Sequence, residues 1–432
     1  MSDPVKQLPL SGYVILDLSV MTAGPVSTML LGDLGADVIK VEEPKRGDLA
    51  RDLGNQFVGG ESVQFLSQNR NKRSLRLDLK SAAGRAVFLR LAKDADVIVE
   101  NFRPGTVDRL GIGYAAVLEV NPKIVYASAS AFGQTGPYAA WPANDPIVQA
   151  VAGLMDMTGE PGGLPVRVGA PLPDFGAAAM LAFGIVTALL HRERTGVGQQ
   201  LDTSLLAAAL FSTIPRDGET LRSGKSPARL GSGHPTMVPY RNYEGSDGAY
   251  FFAACFTDKF WNNLCGAIGR PELVADERFA TNTQRTAHRH QLDSILEDEF
   301  VKHPAAWWVK TLSEADVPCA LVQDYHTALT TDPQVKHTGA VLHLTHPVAG
   351  EMTNLANPVN LHATPAQMRR APPVLGEHSE EVLAQHGFSA AEVAALLADG
   401  VVRGSRLATP AVMAKSALAC GARADSGERS GT

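Results

Sequence analysis

Short apolar runs alternate with helical patterns along the first 130 residues of the chain. Residues 13–18 are patterned as a strand, 26–34 as a helix and 38–42 as the next strand. Such a β–α–β succession predicts a parallel sheet. Further segments continue the pattern at 74–80, 82–92, 96–100 and 123–128. The predicted fold class is therefore α/β.

A long uncharged stretch follows in the middle of the chain. Residues 177–190 carry no charge, which predicts a helix buried on all sides. Asp174 stands just before them, flanked by Pro173 and Gly176, at or before the first helical turn. Near a helix N-terminus this carboxylate is expected to stay ionised. Two interpretations remain open here, an ordinary helix N-cap and a nucleophilic carboxylate.

The composition of the chain changes after residue 215, which predicts several domains. Residues 1–215 are assigned to a large domain and 216–229, polar and rich in Gly, Ser and Pro, to a linker. Residues 230–330 combine two short strands around Gly248 with amphipathic helices, so they predict a smaller α+β domain. Residues 331–403 return to the large domain, and 404–432 are predicted to form a loose tail.

Composition and charge narrow the function classes. The 432 residues are 45% hydrophobic and 19% charged, with a net charge of −6, which gives no reason to expect nucleic acid as a partner. The four cysteines show no C-x-x-C spacing, so neither a disulfide framework nor a metal site is predicted. Residues 1–7 lack a signal-peptide core, and the run 176–190 is too short to span a bilayer. A cytoplasmic location without a membrane partner is expected.

The first β–α turn argues against one class of enzyme. A dinucleotide-binding fold would carry G-x-G-x-x-G there, whereas this chain has Ala23-Gly24-Pro25. Glu42 and Glu43 do follow at the spacing of a ribose-binding acid. With a single glycine the turn does not favour a nicotinamide-dependent oxidoreductase.

Basic residues gather near the expected carboxyl edge of the sheet. They are Arg70, Lys72, Arg73, Lys80, Arg103 and Arg109. Guanidinium and ammonium groups at this edge suit phosphates, although a solvated basic face is the alternative.

Taken together, the motifs resemble those of the class III coenzyme A transferases. This family includes formyl-CoA transferase, carnitine CoA-transferase and α-methylacyl-CoA racemase. The resemblance extends over about residues 8–403. It is carried, in the family's order, by residues 23–25, 34–42, 71–74, 77–80, 100–105, 174, 194–199, 233–235 and 375–378.

The resemblance implies a fold and a set of site residues. It implies a Rossmann-like large domain built from both chain ends, an inserted smaller α+β domain and an interlocked homodimer. Asp174 would be the nucleophile, and Gly231 and Gly233 would belong to a lid that supports the oxyanion. The implied coenzyme A-binding positions are Ala23, Leu77, Lys80, Asn101, Phe102 and Arg109. No metal or cofactor is implied, since coenzyme A enters as a thioester substrate.

The implied activity is transfer of coenzyme A from an acyl-CoA donor to a carboxylic acid through an aspartyl-CoA thioester on Asp174. A racemase or epimerase of 2-substituted acyl-CoA thioesters is the alternative. The racemase branch has a histidine base where this chain has Asn144, and an amide cannot act as a base. An acyl-CoA-binding protein without turnover is a third possibility. Arg103 and Arg167 are candidates for binding the substrate carboxylate.

Overall fold

The structure is a computed structural model, and it describes residues 7–406. Residues 407–432 of the predicted tail lie outside the described residues. The strands are β1 (Val14–Asp17), β2 (Asp37–Glu42), β3 (Phe57–Val58), β4 (Glu61–Ser62), β5 (Lys72–Leu77), β6 (Val97–Glu100), β7 (Val125–Ser130), β8 (Gln199–Ser204), β9 (Tyr240–Glu244), β10 (Tyr250–Ala254), β11 (Cys319–Leu321), β12 (Val341–His346), β13 (Gly350–Leu355) and β14 (Val402–Arg403).

Helices separate most of these strands. They are α1 (Ala23–Asp33), α2 (Val63–Gln68), α3 (Ala82–Ala92), α4 (Thr106–Arg109), α5 (Tyr114–Val120), α6 (Asp145–Val151), α7 (Leu154–Met157), α8 (Leu172–Thr195), α9 (Leu205–Phe211), α10 (Arg216–Ser223), α11 (Asp258–Ala267), α12 (Asn282–Ala287), α13 (Arg289–Phe300), α14 (Ala305–Glu314), α15 (Tyr325–Thr330), α16 (Pro333–His337), α17 (Ser379–Gln385) and α18 (Ala390–Ala398). Two short 3₁₀ turns are Leu49–Asp52 and Pro271–Val274.

The described chain divides into two compact units. The first comprises residues 7–152, 169–214 and 338–406, and the second comprises 153–168 and 215–337. Residues 153–168, which the sequence pattern placed in the large domain, thus belong to the second unit. The segment expected to be a linker contains the helix α10.

A seven-stranded sheet organises the first unit. Its spatial order is β14-β5-β2-β1-β6-β7-β8, with six parallel strands and β14 antiparallel at one edge. The six parallel strands follow the 3-2-1-4-5-6 order of doubly wound folds. The prediction of an α/β fold around a largely parallel sheet is therefore confirmed. The chain first adds strands on one side of β1 and then on the other, so the strand order reverses at β1. Folds of this kind bind ligands at the carboxyl edge of the sheet at that point.

Both faces of this sheet are buried. Leu16, Ile39 and Ile98 belong to the core on one face, while their neighbours Ile15 and Val38 belong to the core on the other. Successive strand residues point to opposite faces, so near-continuous apolar strands are expected in a sheet covered twice.

The second unit is smaller and has its own core. Its three-stranded antiparallel sheet runs β11-β10-β9. Trp261, Phe251, Leu292 and Trp308 share one buried cluster between this sheet and the helices. These residues are structural, as the amphipathic pattern of α11 and α13 indicates.

The prediction that α8 is buried on all sides is wrong for the described chain. Leu181, Ile185 and Leu189 pack against the sheet. The opposite face exposes Phe175, Met180, Phe183, Val186 and Leu190. By length and composition alone α8 could also cross a membrane, a test that core helices of soluble proteins pass as well. The uncharged run therefore has an apolar face that residues 7–406 leave uncovered.

Candidate active site

Asp174 lies in the first turn of α8, as its sequence context predicts. The N-cap position is Pro171, and no side chain caps the helix, so the N-cap interpretation of Asp174 is wrong. The Asp174 carboxylate is partly buried and has no hydrogen-bond partner among residues 7–406. Because no described group forms a hydrogen bond with it, this carboxylate remains available to react.

Asp145 is the residue that meets Asp174. Its Oδ2 accepts the backbone N–H of Asp174 at 3.1 Å, and its Oδ1 accepts from Gln149 Nε2 at 2.6 Å. Helix α6 begins at Asp145, and Asn144 occupies its cap position without a capping hydrogen bond. Asp145 is buried and anchored from two sides, so its carboxylate has a defined position beside Asp174.

The two acids together change the protonation of Asp174. Burial, and then the charge of Asp145, raise the pKa of Asp174 to about 7. The expectation of a fully ionised carboxylate is therefore wrong. The helix dipole favours ionisation, but desolvation and a neighbouring like charge outweigh it here.

A mainly apolar cavity of about 290 Å³ opens at the carboxyl ends of β1, β2, β5 and β6. Three of the six predicted coenzyme A positions line it: Leu77, Lys80 and Phe102. Further lining residues that the sequence pattern missed include Leu18, Val20, Val41, Thr106 and Leu110. Leu18, Val20 and Val41 could have been found from their positions near a strand end, where ligands bind in such sheets, whereas Thr106 and Leu110 belong to α4 and its C-terminal cap.

The other three predicted positions do not line this cavity. Ala23 is buried at the start of α1, and Arg109 donates to Thr106 Oγ1 at 3.0 Å. The Asn101 side chain accepts from Val20 N–H and donates to Val20 O, each at 2.8 Å, and so fixes the turn after β1. Gly24 is required in the first turn of α1, because a Cβ there would lie 2.2 Å from Ser19 Cβ in the turn after β1.

Three of the six residues of the predicted basic rim form buried ion pairs instead. Arg70 forms two hydrogen bonds with Asp33, Lys72 contacts Asp17 at 2.9 Å, and Arg73 pairs with Asp37. All three cations are almost fully buried, which excludes both the phosphate-rim and the solvated-face interpretation for them. Lys80 remains at the cavity, and Arg103 is exposed.

Below the cavity these pairs extend into a buried network. Burial alone would raise the pKa of Asp17, but the ammonium groups of Lys72 and Lys40 hold it well below its usual range. Lys40 in turn contacts Asp48 at 2.8 Å, and Arg51 contacts Glu42 at 2.7 Å. The network satisfies charges at the strand ends and supports the cavity floor.

The remaining predicted site residues belong to the second unit. Gly231 and Gly233 lie in a tight loop, where Gly231 has φ +57° and its N–H donates to Gly159 O at 2.9 Å. Arg167, a candidate for the substrate carboxylate, is exposed. Their roles as lid and carboxylate ligand stay predictions. Within residues 7–406, no cluster of three His, Cys, Asp or Glu side chains could hold a metal ion.

Residues 10–379 match CoA-transferase family III. The chain belongs to the class III CoA-transferases. This membership fits an acidic side chain at the start of α8 together with a cavity at the carboxyl edge of the sheet. As a member of this family the chain is an enzyme of the CoA-transferase class.

Named relatives in the family cover most of the chain. An acetyl-CoA:oxalate CoA-transferase from Acetobacter aceti is 42% identical over 73% of this chain and 81% of its own length. The human succinyl-CoA:glutarate CoA-transferase is 35% identical over 93% of this chain and 91% of its own. The crystal structure of a CAIB/BAIF family protein from Brucella suis, 34% identical, superposes with a TM-score of 0.79 over 88% of this chain and all of that one.

Proposed function

We propose that this class III CoA-transferase moves coenzyme A from an acyl-CoA donor to a carboxylic acid, with Asp174 as the nucleophile. The observation that carries the proposal is that the Asp174 carboxylate makes no hydrogen bond among the described residues, while Asp145 accepts the backbone N–H of Asp174 and fixes its position. A desolvated carboxylate is more nucleophilic than a hydrated one. Membership of the family adds the substrate class, since named relatives transfer coenzyme A between acids.

The proposed reaction proceeds in four balanced steps. An Asp174 carboxylate oxygen attacks the donor carbonyl, the C–S bond breaks, and a mixed anhydride and the CoA thiolate form. The thiolate attacks the aspartyl carbonyl, which breaks the anhydride and releases the donor acid. The acceptor carboxylate then attacks the aspartyl-CoA thioester and expels the thiolate. Attack of the thiolate on the acceptor carbonyl releases acceptor-CoA and restores Asp174.

In this proposal Asp145 is a positioning residue. Its anchored carboxylate holds the first turn of α8 through the Asp174 N–H, and its charge opposes ionisation of Asp174 until substrate arrives. Attack requires the ionised form of Asp174, so activity depends on deprotonation near neutral pH.

The acceptor proposed first is a small dicarboxylate. The support comes from relatives named for oxalate and for glutarate. Asn144 cannot serve as a base, which favours transfer over the racemase alternative.

The deciding experiment is the intact mass of the protein after incubation with a panel of acyl-CoAs. We expect a covalent adduct whose mass is that of coenzyme A less one water, and hydroxylamine should remove it. The variant Asp174→Ala should form no adduct, whereas Asp156→Ala, which removes an exposed aspartate of α7, should form it normally. Absence of an adduct with every donor that binds, together with exchange of the α-proton into solvent, would favour the racemase instead.

We also propose that a second copy covers the apolar face of α8. Phe183 is 69% exposed, and Leu210, Phe211 and Ile214 expose more apolar surface on and just after α9, which packs against α8. Monomers rarely leave an apolar patch of this kind in water. The interlocked homodimer implied by the resemblance would bury it.

The lid role of the Gly231–Gly233 loop is proposed from the resemblance. Gly231 has φ +57°, a left-handed conformation that residues with a Cβ rarely adopt, so the loop favours glycine there. We expect Gly231→Ala to lower kcat and to increase hydrolysis of the acyl-CoA to the free acid, because water would reach the anhydride.

A further inference from the structure

A second cavity, of about 460 Å³, lies within the second unit of the chain. The helix α10 and the residues after it form one side, and the loop around Gly231 and Gly233 forms another. This volume is in the range of sites for small organic ligands.

The charges that line this cavity favour a dianion. Three of the lining residues are cations, namely Arg216, Lys225 and Arg289. Glu219 is the one carboxylate among the lining residues. Glu219 pairs with Arg216 at 3.3 Å. Within the described residues, neither Lys225 nor Arg289 has an acidic partner at ion-pair distance. Three cations against one carboxylate leave a net charge of +2 on the cavity wall.

The two guanidinium groups are held by one residue, His234. Arg216 Nη2 lies 3.1 Å from His234 Nε2. Arg289 Nη2 donates to the carbonyl oxygens of His234, at 2.5 Å, and Pro235, at 3.3 Å. The two guanidinium groups are therefore held in place before any ligand arrives.

The rest of the lining suits a short carbon chain between two charged ends. Met157, Pro227 and Leu230 contribute apolar surface, and Thr220 and Ser226 contribute hydroxyl groups. Inorganic phosphate would match the charge but would leave most of the volume and the apolar surface unused. A molecule with two carboxylates on a short carbon chain uses the charge, the volume and the apolar surface of the cavity.

We propose that this cavity binds a small dicarboxylate through Arg216, Lys225 and Arg289. The proposal goes beyond the transfer reaction, since binding here needs no thioester on Asp174. It also gives His234 a role, which is to hold the two arginines in place as a neutral hydrogen-bonding group.

Isothermal titration calorimetry on the full-length Asp174→Ala protein tests the proposal, because no covalent chemistry can contribute. Glutarate is the probe, with butyrate and inorganic phosphate as comparison ligands. We expect the double variant Arg216→Gln/Arg289→Gln to weaken glutarate binding by about tenfold or more. The control is Arg222→Gln, which removes one positive charge from α10 outside the cavity lining.

Lys225→Gln provides a second variant that cannot disturb the loop, since its exposed side chain makes no hydrogen bond or ion pair among the described residues. It should weaken glutarate binding by about threefold or more. Glutarate affinity that is the same in all variants would overturn the proposal, as would no measurable binding. Phosphate or butyrate binding as tightly as glutarate would overturn the assignment to dicarboxylates. Intact-mass detection of the Asp174 adduct tests the transferase proposal separately.

Discussion

The Asp145 carboxylate accepts the backbone N–H of Asp174 while its charge opposes ionisation of the Asp174 side chain. One residue thus positions the proposed nucleophile, and its charge adds to burial in raising the pKa of Asp174. The two effects are separable, because the hydrogen bond needs an oxygen atom and the pKa effect needs a charge.

The pH dependence of transfer follows from this relationship. With the pKa of Asp174 raised to about 7, kcat/KM should rise with pH and level off above about 7. Asp145→Asn keeps an acceptor oxygen but removes the negative charge, so the rise should move to lower pH. Initial rates between pH 5 and 9 check both statements. An unchanged profile in Asp145→Asn would show that its charge does not act on Asp174.

The free energy of unfolding should also depend on pH because of the raised pKa of Asp174. The pKa of Asp174 is higher in the folded than in the unfolded chain, so its ionisation opposes folding increasingly between about pH 4 and 7. Asp174→Asn should therefore stabilise the protein by about 1–3 kcal/mol at pH 8 and by little at pH 4. Urea unfolding at both pH values measures the difference. A gain that is equal at pH 4 and pH 8 would contradict this origin.

Substitutions in the lining of the apolar cavity should affect binding of the acyl-CoA and not of the acceptor acid. Phe102→Ala removes an aromatic wall, and Lys80→Ala removes the ammonium group that lines this cavity. Each should raise the KM of the acyl-CoA by about tenfold and change the acceptor KM little. Steady-state kinetics with both substrates varied provide the measurement, and Lys93→Ala, an exposed change outside the cavity, is the control. Equal effects on both KM values would argue against a coenzyme A site.

Buried and exposed ion pairs should differ greatly in their effect on stability. Lys72→Met leaves Asp17 buried without its closest cation and should cost about 3–5 kcal/mol in the free energy of unfolding. Lys259→Met breaks the exposed pair with Asp316 and should cost at most about 1 kcal/mol. Chemical denaturation of the two variants side by side gives the comparison. A small loss in Lys72→Met would mean that Lys40 compensates for it.

The exposed face of α8 predicts how the protein associates. Phe183→Lys places a charge at the centre of this face and should shift the protein from dimer to monomer. Analytical ultracentrifugation across a concentration series measures the change. Leu221 is also exposed, but it lies on the polar helix α10. The substitution Leu221→Lys should therefore leave the association unchanged. A wild-type protein that is monomeric at all concentrations would refute the second copy.

Local patterns were sufficient wherever one element carried the signal. Helix α3 spans Ala82–Ala92, which are the bounds that its pattern predicts. The β–α–β succession predicted the parallel sheet. Asp174 was recognised from its own neighbours, since Pro173, Gly176 and an apolar run mark a helix start.

Local patterns failed where the meaning of a residue depends on a distant partner. Arg70, Lys72 and Arg73 have the same charges whether they face phosphate, water or an aspartate, and only the pairing of strands brought them to Asp33, Asp17 and Asp37. The uncharged run of α8 likewise showed how much apolar surface exists but not which face the sheet covers.

The sequence by itself determined the fold class, the helix that carries Asp174 and the family of the enzyme, because each depends on local periodicity or on ordered motifs. Only the tertiary structure decided that Asp145, 29 residues away in the chain, anchors Asp174 and raises its pKa. The physical reason is that hydrogen bonds and desolvation depend on distances in space, and those are set when separate elements pack together.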